Sequence, residues 1–530
     1  MKRRIFLTGS AAAAAAPFSA PRVARSQEQR ILRFVPYADV AVTDPVWSST
    51  LATRSHALAV FDTLYGTAAD YSVQPQMVAG HVIENDGKLW RMTLREGLHF
   101  HDGTPVLAKD CVASIARWAK RDVFGQLLAA ATDELSAPDD RTIVFRLKRP
   151  FPLLPTALAR PSTLVPAIMP ERLALTDPFV QVAEMVGSGP YRFLPDERVA
   201  GARLAYARHE GYVPRPDGIS SQTAGPRIAH FDRLEFHIIP DPSTAAAALQ
   251  SGAIDWVEQP LIDLLPVLRR SRDITVEVKD GAGMVGHLRL NQLYAPFDKP
   301  AVRRVLLQAI SQTDCMTAVA GTDTTMSNDR VGVFAPGTPM ASDAGIPPAG
   351  DRPDISALRR ALEEAGYRGE RIVMLAGADV ARISAVCEVT AQVMRQLGMN
   401  VDYVSADWGS LNQRIVNRRP ASEGGWNCYC TYSAGADLAI PVTHSGLRAN
   451  GTAFQIGWAN IPAIDAMRGR WLLAETLAEQ QDICREIQLI CQREVPFIPL
   501  GQLIQPVAYR KTLTGMMAGL PIFTNLRKSG

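Results

Sequence analysis

The chain has 530 residues, of which 47% are hydrophobic and 21% are charged, and its formal net charge is +3. A chain of this length exceeds what one hydrophobic core supports and predicts two to four domains. The composition is that of an ordinary globular protein. It contains no basic block of the kind that nucleic-acid-binding proteins carry, and its apolar runs are too short to predict a membrane span.

Residues 1–26, MKRRIFLTGSAAAAAAPFSAPRVARS, have the pattern of an export signal. A basic start is followed by a weakly apolar, alanine-rich stretch and by small residues at Ala24 and Ser26, where a signal peptidase would cut. The pair Arg3-Arg4 resembles a twin-arginine signal. The alternative is a basic N-terminus with a low-complexity alanine run. Residues 1–26 carry five basic and no acidic residues, so cleavage would leave a net charge of −2.

The seven cysteines are an odd number, so at least one is unpaired in an exported protein. Cys428 and Cys430 are too close in sequence for an easy mutual disulfide. Cys484 and Cys491 lie seven residues apart on a predicted helix, which favours core packing on one face. No cysteine lies near the end of the signal, so we expect no lipid anchor and a freely diffusing periplasmic protein rather than a lipoprotein.

The first strongly patterned segment, residues 85–101, predicts a half-buried pair of strands. It opens with an Asn-Asp-Gly turn, and its apolar residues then alternate with polar ones. The predicted buried positions are Trp90, Met92, Leu94, Leu98 and Phe100. A helix carrying Val112, Ile115 and Trp118 at helical spacing follows.

His99 and His101 lie on the polar parity of this segment, so we expect both to point away from the core. A two-residue spacing can place two imidazoles on one metal ion, but a third ligand would have to come from elsewhere in the chain. We therefore interpret this stretch as a strand-to-turn scaffold, in which Asp102-Gly103 makes the turn.

Later segments alternate short strands with amphipathic helices, which predicts an α/β protein with a mixed α+β subdomain. In residues 231–257 a strand leads through a proline-rich turn into a helix that we expect Ser243 or Thr244 to cap and Gly252 to end. Residues 284–310 repeat the order of strand, turn and helix.

Several motifs in this order resemble the family 5 solute-binding proteins of ABC importers, which include dipeptide-, oligopeptide- and nickel-binding proteins. The matching segments are NDGKLWRMTLREGLHFHDGTPVLAKDCVASI (85–115), GSGPYRF (187–193), LQSGAIDWV (249–257), NQLYAPFDKPAVRRVLLQAI (291–310) and LEEAGY (362–367). Together they extend over nearly the whole chain after the predicted signal.

The resemblance implies a two-lobed, periplasmic-binding-protein-like fold of type II, cluster C, with an extra subdomain in the N-terminal lobe. Lobe I would combine residues 27–58, 185–283 and 497–530. The extra subdomain would span 59–184, and lobe II would span 284–496.

The function implied by the resemblance is capture of a small peptide-like or amino-acid-derived solute between the lobes. The protein, a monomer, would deliver that solute to permease subunits in the inner membrane, with no cofactor and no covalent chemistry. Alternatives are a periplasmic receptor for a chemosensory partner and a metal-chelate-binding protein, for which His444 is the candidate ligand. A periplasmic enzyme is less favoured, because the chain has no CxxC pair, haem-attachment, HExxH or GxSxG motif.

One departure from the family concerns the acid that binds the peptide amino group. In peptide-binding members this Asp shortly follows a tryptophan. Trp426 matches that tryptophan, but Cys428, Tyr429 and Cys430 occupy the positions where the acid is expected, and the nearest acid is Asp437. A buried ammonium without a counter-charge costs several kcal/mol, so we do not expect a generic peptide with a free amino terminus to bind.

Ligand clefts are lined by apolar and aromatic side chains with a few polar groups. Two segments fit this description: one runs from Trp408 to Arg448, and the other is the early stretch YADVAVTDPVWSS. The predicted ligand-binding residues are Trp426, Tyr429, Trp408, Asp437, Arg448, Tyr37, Asp44, Trp47 and Tyr432. For each aromatic residue, a place in the hydrophobic core is the alternative.

Overall fold

A computed structural model describes residues 30–347, 354–453 and 456–529. The predicted signal at residues 1–26 lies outside them. The strands are β1 (Ile31–Val35), β2 (Tyr65–Thr67), β3 (Val73–Pro75), β4 (Val78–Glu84), β5 (Leu89–Leu94), β6 (Thr132–Ser136), β7 (Thr142–Leu147), β8 (Tyr191–Phe193), β9 (Arg203–Arg208), β10 (Arg233–His237), β11 (Trp256–Val257), β12 (Ile274–Glu277), β13 (Met284–Leu290), β14 (Ser327–Asn328), β15 (Arg371–Gly377), β16 (Asn400–Ala406), β17 (Cys428–Ala434), β18 (Phe497–Leu503), β19 (Val507–Arg510), β20 (Leu513–Thr514) and β21 (Arg527–Lys528).

The α-helices are α1 (Leu51–Val60), α2 (Ala108–Ala119), α3 (Val123–Ala131), α4 (Leu154–Leu158), α5 (Glu171–Ala174), α6 (Pro242–Ser251), α7 (Leu265–Arg270), α8 (Pro300–Ala309), α9 (Gln312–Ala320), α10 (Ile355–Glu364), α11 (Ala381–Gln396), α12 (Trp408–Arg414), α13 (Pro462–Trp471) and α14 (Leu477–Glu494). Short 3₁₀ turns connect several of these elements.

The first lobe is built on a mixed sheet with the order β12-β19-β11-β1-β10-β9-β8. β1 runs parallel to both β10 and β11, and the outer strands are antiparallel. Its core contains a cluster of aromatic rings around Phe34, whose centroid lies 4.7 Å from that of Trp256 and 5.0 Å from those of Phe236 and Phe523. The edge-to-face angles of these pairs are the favourable geometry for buried rings.

An antiparallel sheet with the order β4-β5-β7-β6 forms the extra subdomain on this lobe. The predicted alternation is confirmed: Trp90, Met92 and Leu94 are buried, whereas Arg91 and Thr93 are exposed. Ile115 and Trp118 of α2 are also buried beneath the sheet, as their helical spacing predicted.

The expectation for the two histidines is wrong for His101. His101 is largely buried, and its Nδ1 accepts a hydrogen bond from the Gly187 N–H at 3.3 Å, while its Nε2 donates to the Gly189 carbonyl at 3.0 Å. Burial lowers the pKa of His101 to about 3. The imidazole thus joins two of the segments that carry the family resemblance, 85–115 and 187–193. His99, in contrast, is exposed and contacts the Gly97 carbonyl.

The second lobe is built on a sheet with the order β14-β18-β13-β17-β15-β16. β18 lies antiparallel to β13 within this sheet. We expected residues 497–530 to return to the first lobe, but 497–503 form β18, so the return begins only after Leu503. All seven cysteines are buried and free, and Cys484 and Cys491 pack in a hydrophobic core as predicted.

The helix over residues 242–251 also differs from its prediction in one respect. Gly252 ends it in a left-handed conformation, as expected, but Asp241 and not Ser243 or Thr244 caps its start, by accepting a hydrogen bond from the Thr244 N–H at 2.7 Å. Asp241 is followed by Pro242, and proline suits the first position of a helix.

The chain crosses between the lobes along two adjacent segments, 278–283 and 504–506. They lie side by side because β12 pairs with β19 in the first sheet and β13 pairs with β18 in the second, with Glu277 opposite Val507 and Met284 opposite Leu503. We call this pair of crossing segments the hinge. It connects strands that are paired in both sheets.

Gly283 makes the close approach of the two hinge segments possible. Its φ is +49°, and a Cβ at this position would lie 2.4 Å from the Leu503 carbonyl oxygen. We expect Gly283→Ala to lower the free energy of unfolding by about 2 kcal/mol, through this clash and the unfavourable backbone angle. Urea unfolding checks it.

The matched control is Gly281→Ala in the same segment, because no atom lies within 4 Å of the position a Cβ would take there. Equal unfolding midpoints for the two variants would contradict the packing described for the hinge.

Candidate functional site

Two parallel strands of the first lobe end at the same edge of the sheet and bring polar groups to it. β1 leads to Tyr37 and β11 leads to Glu258. The Tyr37 N–H donates a hydrogen bond to Glu258 Oε2 at 2.9 Å, and Glu258 is buried. The carboxyl ends of parallel strands are a common place for ligand sites in mixed sheets.

α1 adds a buried positive charge to this edge. Its first turn is capped by Thr50, whose side chain accepts from the Thr53 N–H, and Arg54 follows one residue later. Arg54 is only 5% exposed, and its Nε and Nη1 atoms are buried without a hydrogen-bond partner among the described residues.

A cavity of about 60 Å³ lies between Arg54, the strand ends and the hinge. The first lobe contributes most of its wall, the hinge contributes both crossing segments, and Met284 and Ala434 come from the second lobe. The lining residues are Leu51, Arg54, Trp256, Glu258, Gln259, Lys279, Asp280, Gly283, Met284, Ala434, Gln505, Val507, Met516, Met517, Gly519, Leu520, Pro521 and Ile522.

Two carboxyl groups of this cavity are held out of water. Burial raises the pKa of Glu258 and of Asp280, and the positive charge of Arg54 partly opposes both shifts. The Asp280 charge raises the pKa of Glu258 further, while the Asp280 carboxylate itself accepts from the Ala282 N–H at 3.0 Å. The cavity therefore combines acidic and basic groups in a dry environment, where electrostatic interactions are strong.

An ion pair joins the lobes beside the cavity. Arg160, from the subdomain of the first lobe, pairs with Asp122 of the same subdomain and reaches Asp437 of the second lobe, with 3.4 Å between Nη2 and Oδ1. Burial raises the pKa of Asp437, and Arg160 and Arg54 act against that shift. Asp437 was a predicted site residue, and the structure places it at the boundary between the lobes.

A second charged group, Arg382, lies close to one of the predicted tyrosines. The Arg382 guanidinium lies 5.9 Å from the ring centroid of Tyr432, both in the second lobe. Burial lowers the pKa of Arg382, and the nearby Tyr432 and Tyr37 oppose this shift. The Tyr432 hydroxyl is buried and has no hydrogen-bond partner within residues 30–347, 354–453 and 456–529.

Three other predicted residues belong to the hydrophobic core of the second lobe. Trp426 is fully buried, its Nε1 donates to the Ile415 carbonyl at 3.0 Å, and its ring lies 5.1 Å from that of Tyr429. Trp408 packs on the same cluster, 6.5 Å from Tyr429. None of the three lines the cavity, because these large rings are better buried among apolar neighbours.

The predicted residues Asp44 and Trp47 make contacts within the first lobe and do not line the cavity. Asp44 is fully buried, and its carboxylate accepts from both terminal nitrogens of Arg117, at 3.2 and 2.8 Å, and from the Val182 N–H at 2.9 Å. Trp47 is 36% exposed and donates to the Phe179 carbonyl. The Asp-Pro turn thus anchors the subdomain.

The last two candidates lie in the second lobe. Arg448 is largely buried, which lowers its pKa to about 10, and the charges of Asp122 and Arg160 act on it across the boundary between the lobes. Both ring nitrogens of His444 are engaged: Nε2 with the Val333 carbonyl at 2.8 Å, and Nδ1 with the Gly446 N–H at 3.0 Å. Among the residues placed by the structure, no cluster of three or more His, Cys, Asp or Glu side chains is arranged to hold a metal ion.

Arg54, Glu258 and Asp280 carry no motif, so they were not expected at the site. A weak signal exists for two of them. Arg54 stands in a helix otherwise rich in alanine, leucine and valine, and Glu258 directly follows the end of a predicted buried strand. A charged residue in either position needs a partner or a ligand.

The chain matches the family model of bacterial extracellular solute-binding proteins, family 5, over residues 72–433. It is also 37% identical over 540 residues to a probable peptide ABC transporter periplasmic-binding protein, y4tO, of Sinorhizobium fredii, with 100% of this chain and 99% of that protein covered.

Two solved structures have the same fold. The binding protein AgaA of A. tumefaciens R10, in complex with agropinic acid, is 20% identical, with a TM-score of 0.77 over 94% of this chain and 99% of its own. The binding protein DppA of Helicobacter pylori, in complex with the peptide STSA, is 19% identical, with a TM-score of 0.77 over 95% of this chain and 99% of its own. These likenesses show a two-lobed periplasmic-binding-protein fold.

The ion pair between the lobes gives an asymmetric prediction. Arg160→Met leaves two carboxylates, Asp122 and Asp437, without their counter-charge, and we expect a loss of about 3 kcal/mol in the free energy of unfolding. Asp437→Asn keeps the pair between Arg160 and Asp122, and 22% of the Asp437 side chain is exposed to solvent. We expect that variant to lose less than about 1 kcal/mol. Urea unfolding followed by tryptophan fluorescence measures both, and equal losses would contradict the geometry.

Proposed function

Because the chain belongs to the family 5 bacterial extracellular solute-binding proteins, we propose that it captures its solute in the cavity beside the hinge. It is the substrate-binding component of an ABC importer, and it presents the captured solute to permease subunits in the inner membrane. The observation that carries the proposed site is that one cavity has walls from both lobes and from both crossing segments of the hinge.

A charged contact between the lobes supports capture by closure. Arg160 of the first lobe and Asp437 of the second meet across the boundary between them. A solute that touches both walls stabilises the closed form relative to the open one, because only the closed form makes all contacts at once.

The proposed solute is small and peptide-like or derived from an amino acid. The relative of Sinorhizobium fredii is named as a peptide-binding protein, and the two solved structures hold a peptide and agropinic acid. The positions where peptide-binding members would carry their acid hold Cys428, Tyr429 and Cys430, all three buried in the second lobe. The acidic groups available to a solute here come from Glu258 and Asp280 instead.

Export is part of the proposal. Residues 1–26 would direct the chain through the twin-arginine route and be removed, leaving a periplasmic monomer without a lipid anchor. Within the described ranges, no helix is long and apolar enough to span a bilayer. The proposed work is recognition alone, without a covalent step.

A thermal-shift screen against dipeptides, opines, sugars and metal chelates tests this proposal. A binding solute at a hundredfold excess over its Kd stabilises the protein by about 2.7 kcal/mol, which raises the melting temperature measurably. We expect hits among the peptide-like and opine compounds, and stabilisation by none of the compounds would contradict the proposal.

Two variants locate the binding site. Ala434→Leu adds a side chain from the second lobe into the cavity of about 60 Å³, so we expect the stabilisation by any hit to disappear. Leu175→Ala, at an exposed position of the first lobe's subdomain that does not line the cavity, is the control and should leave the stabilisation unchanged. Loss of stabilisation in both variants, or in neither, would contradict the proposed location.

A further inference from the structure

Three buried arginines other than Arg54, each at most 3% exposed, bind acceptors with their guanidinium groups. Arg117 binds both oxygens of Asp44, Arg227 binds Asp62, and Arg303 donates to the carbonyls of Phe297, Glu494 and Val495.

Arg54 has no such partners. Its Nε and Nη1 make no hydrogen bond, and its guanidinium forms no ion pair within 4 Å in the part of the chain that the structure covers. Buried polar groups are nearly always hydrogen-bonded, and a buried, unpaired N–H of a cation is costly. Arg54 lines the cavity, so a molecule held there can supply acceptors to its guanidinium.

Each acidic group around Arg54 has another partner, and none accepts a hydrogen bond from Arg54 Nε or Nη1. Glu258 accepts from the Tyr37 N–H, Asp280 accepts from the Ala282 N–H, and Asp437 pairs with Arg160. Their charges act on Arg54 through space and lower the cost of burying it, as the opposing effect of Arg54 on all three carboxyl groups shows. None of these three carboxyl groups accepts a hydrogen bond from Arg54, so its Nε and Nη1 stay without an acceptor.

We propose that Arg54 binds a carboxylate group of the captured solute, through two parallel hydrogen bonds from its guanidinium. A carboxylate offers two acceptor oxygens at the spacing of the guanidinium fork, which a single carbonyl or hydroxyl does not. This inference rests on the proposed function and adds the substrate class. The solute is an organic acid, and the end that binds beside the hinge carries the carboxylate.

The size of the cavity agrees with this assignment. A volume of about 60 Å³ is several times the ~10–15 Å³ that one water molecule needs. A carboxylate with its attached carbon fits such a space while the lobes are closed. The remainder of a larger solute would occupy space that opens between the lobes.

Acetate and acetamide, which have nearly the same shape, are the two probes that test the proposal. Ligand-observed NMR titrations on the full chain give the affinity of each. We expect acetate to bind, and acetamide to bind about tenfold more weakly or less, because only acetate offers two charged acceptors.

Variants assign that binding to Arg54. Arg54→Gln should weaken acetate binding about tenfold or more, whereas Arg54→Lys keeps the charge, loses the fork and should retain part of the affinity. Arg33→Gln is the matched control: this arginine lies in β1, its guanidinium contacts Glu235 at 3.8 Å, and it does not line the cavity. If Arg54→Gln unfolds the chain, the acetate affinity of Arg54→Lys relative to wild type still tests whether Arg54 binds acetate.

Equal binding of acetate and acetamide, no binding of acetate, or acetate affinity unchanged in the Arg54 variants would each overturn the inference. The proposed function is judged separately by the solute screen. A solute that stabilises wild type and Arg54→Gln equally would leave the binding function intact and remove Arg54 from it.

Discussion

The crossing of the chain between two sheets is the constraint on which the rest of the structure depends. Segments 278–283 and 504–506 run side by side because each joins strands that are paired in both sheets. A hinge made of two adjacent segments permits rotation of one lobe against the other while it resists sliding. The cavity touches both segments, so a molecule bound there contacts the part of the chain about which the lobes turn.

Charge burial gives this arrangement its sensitivity to a ligand. Arg54 and Glu258 are buried, Asp280 and Asp437 are partly buried, and burial raises the pKa of each of the three acids. Desolvation of such groups exceeds what imperfect pairing returns. In the proposed mechanism, the closed form is favoured most when a solute supplies hydrogen bonds to buried groups, such as Arg54, that have no partner in the described residues.

The alternation in residues 89–94 predicted a strand of the subdomain. The two-lobed fold and the extra subdomain were implied by the family resemblance that the motifs from 85 to 367 carry. The boundary at residue 497 was wrong because Phe497–Leu503, read alone, suits either sheet, and only its pairing with Met284–Leu290 decides. The burial of His101 was missed because its partners, Gly187 and Gly189, are more than eighty residues away.

The site was less predictable than the fold. Of the predicted residues, Asp437 contacts the other lobe. Trp426 and Tyr429 are buried in the second lobe, and the half-buried Trp408 packs against the same cluster. Arg54, Glu258 and Asp280 come from a helix, a strand end and the hinge, and nothing in a single sequence brings these three together. Their relation depends on the tertiary fold.

The account is tested most directly by the distance between the lobes in solution. Dyes attached at Ile219→Cys in the first lobe and Leu477→Cys in the second, both exposed positions, can report that distance by single-molecule energy transfer. The seven native cysteines are buried, so the introduced thiols are the ones that react. The account predicts that a solute which raises the melting temperature shifts the molecules to one shorter distance. Binding of that solute with an unchanged distance distribution would contradict it.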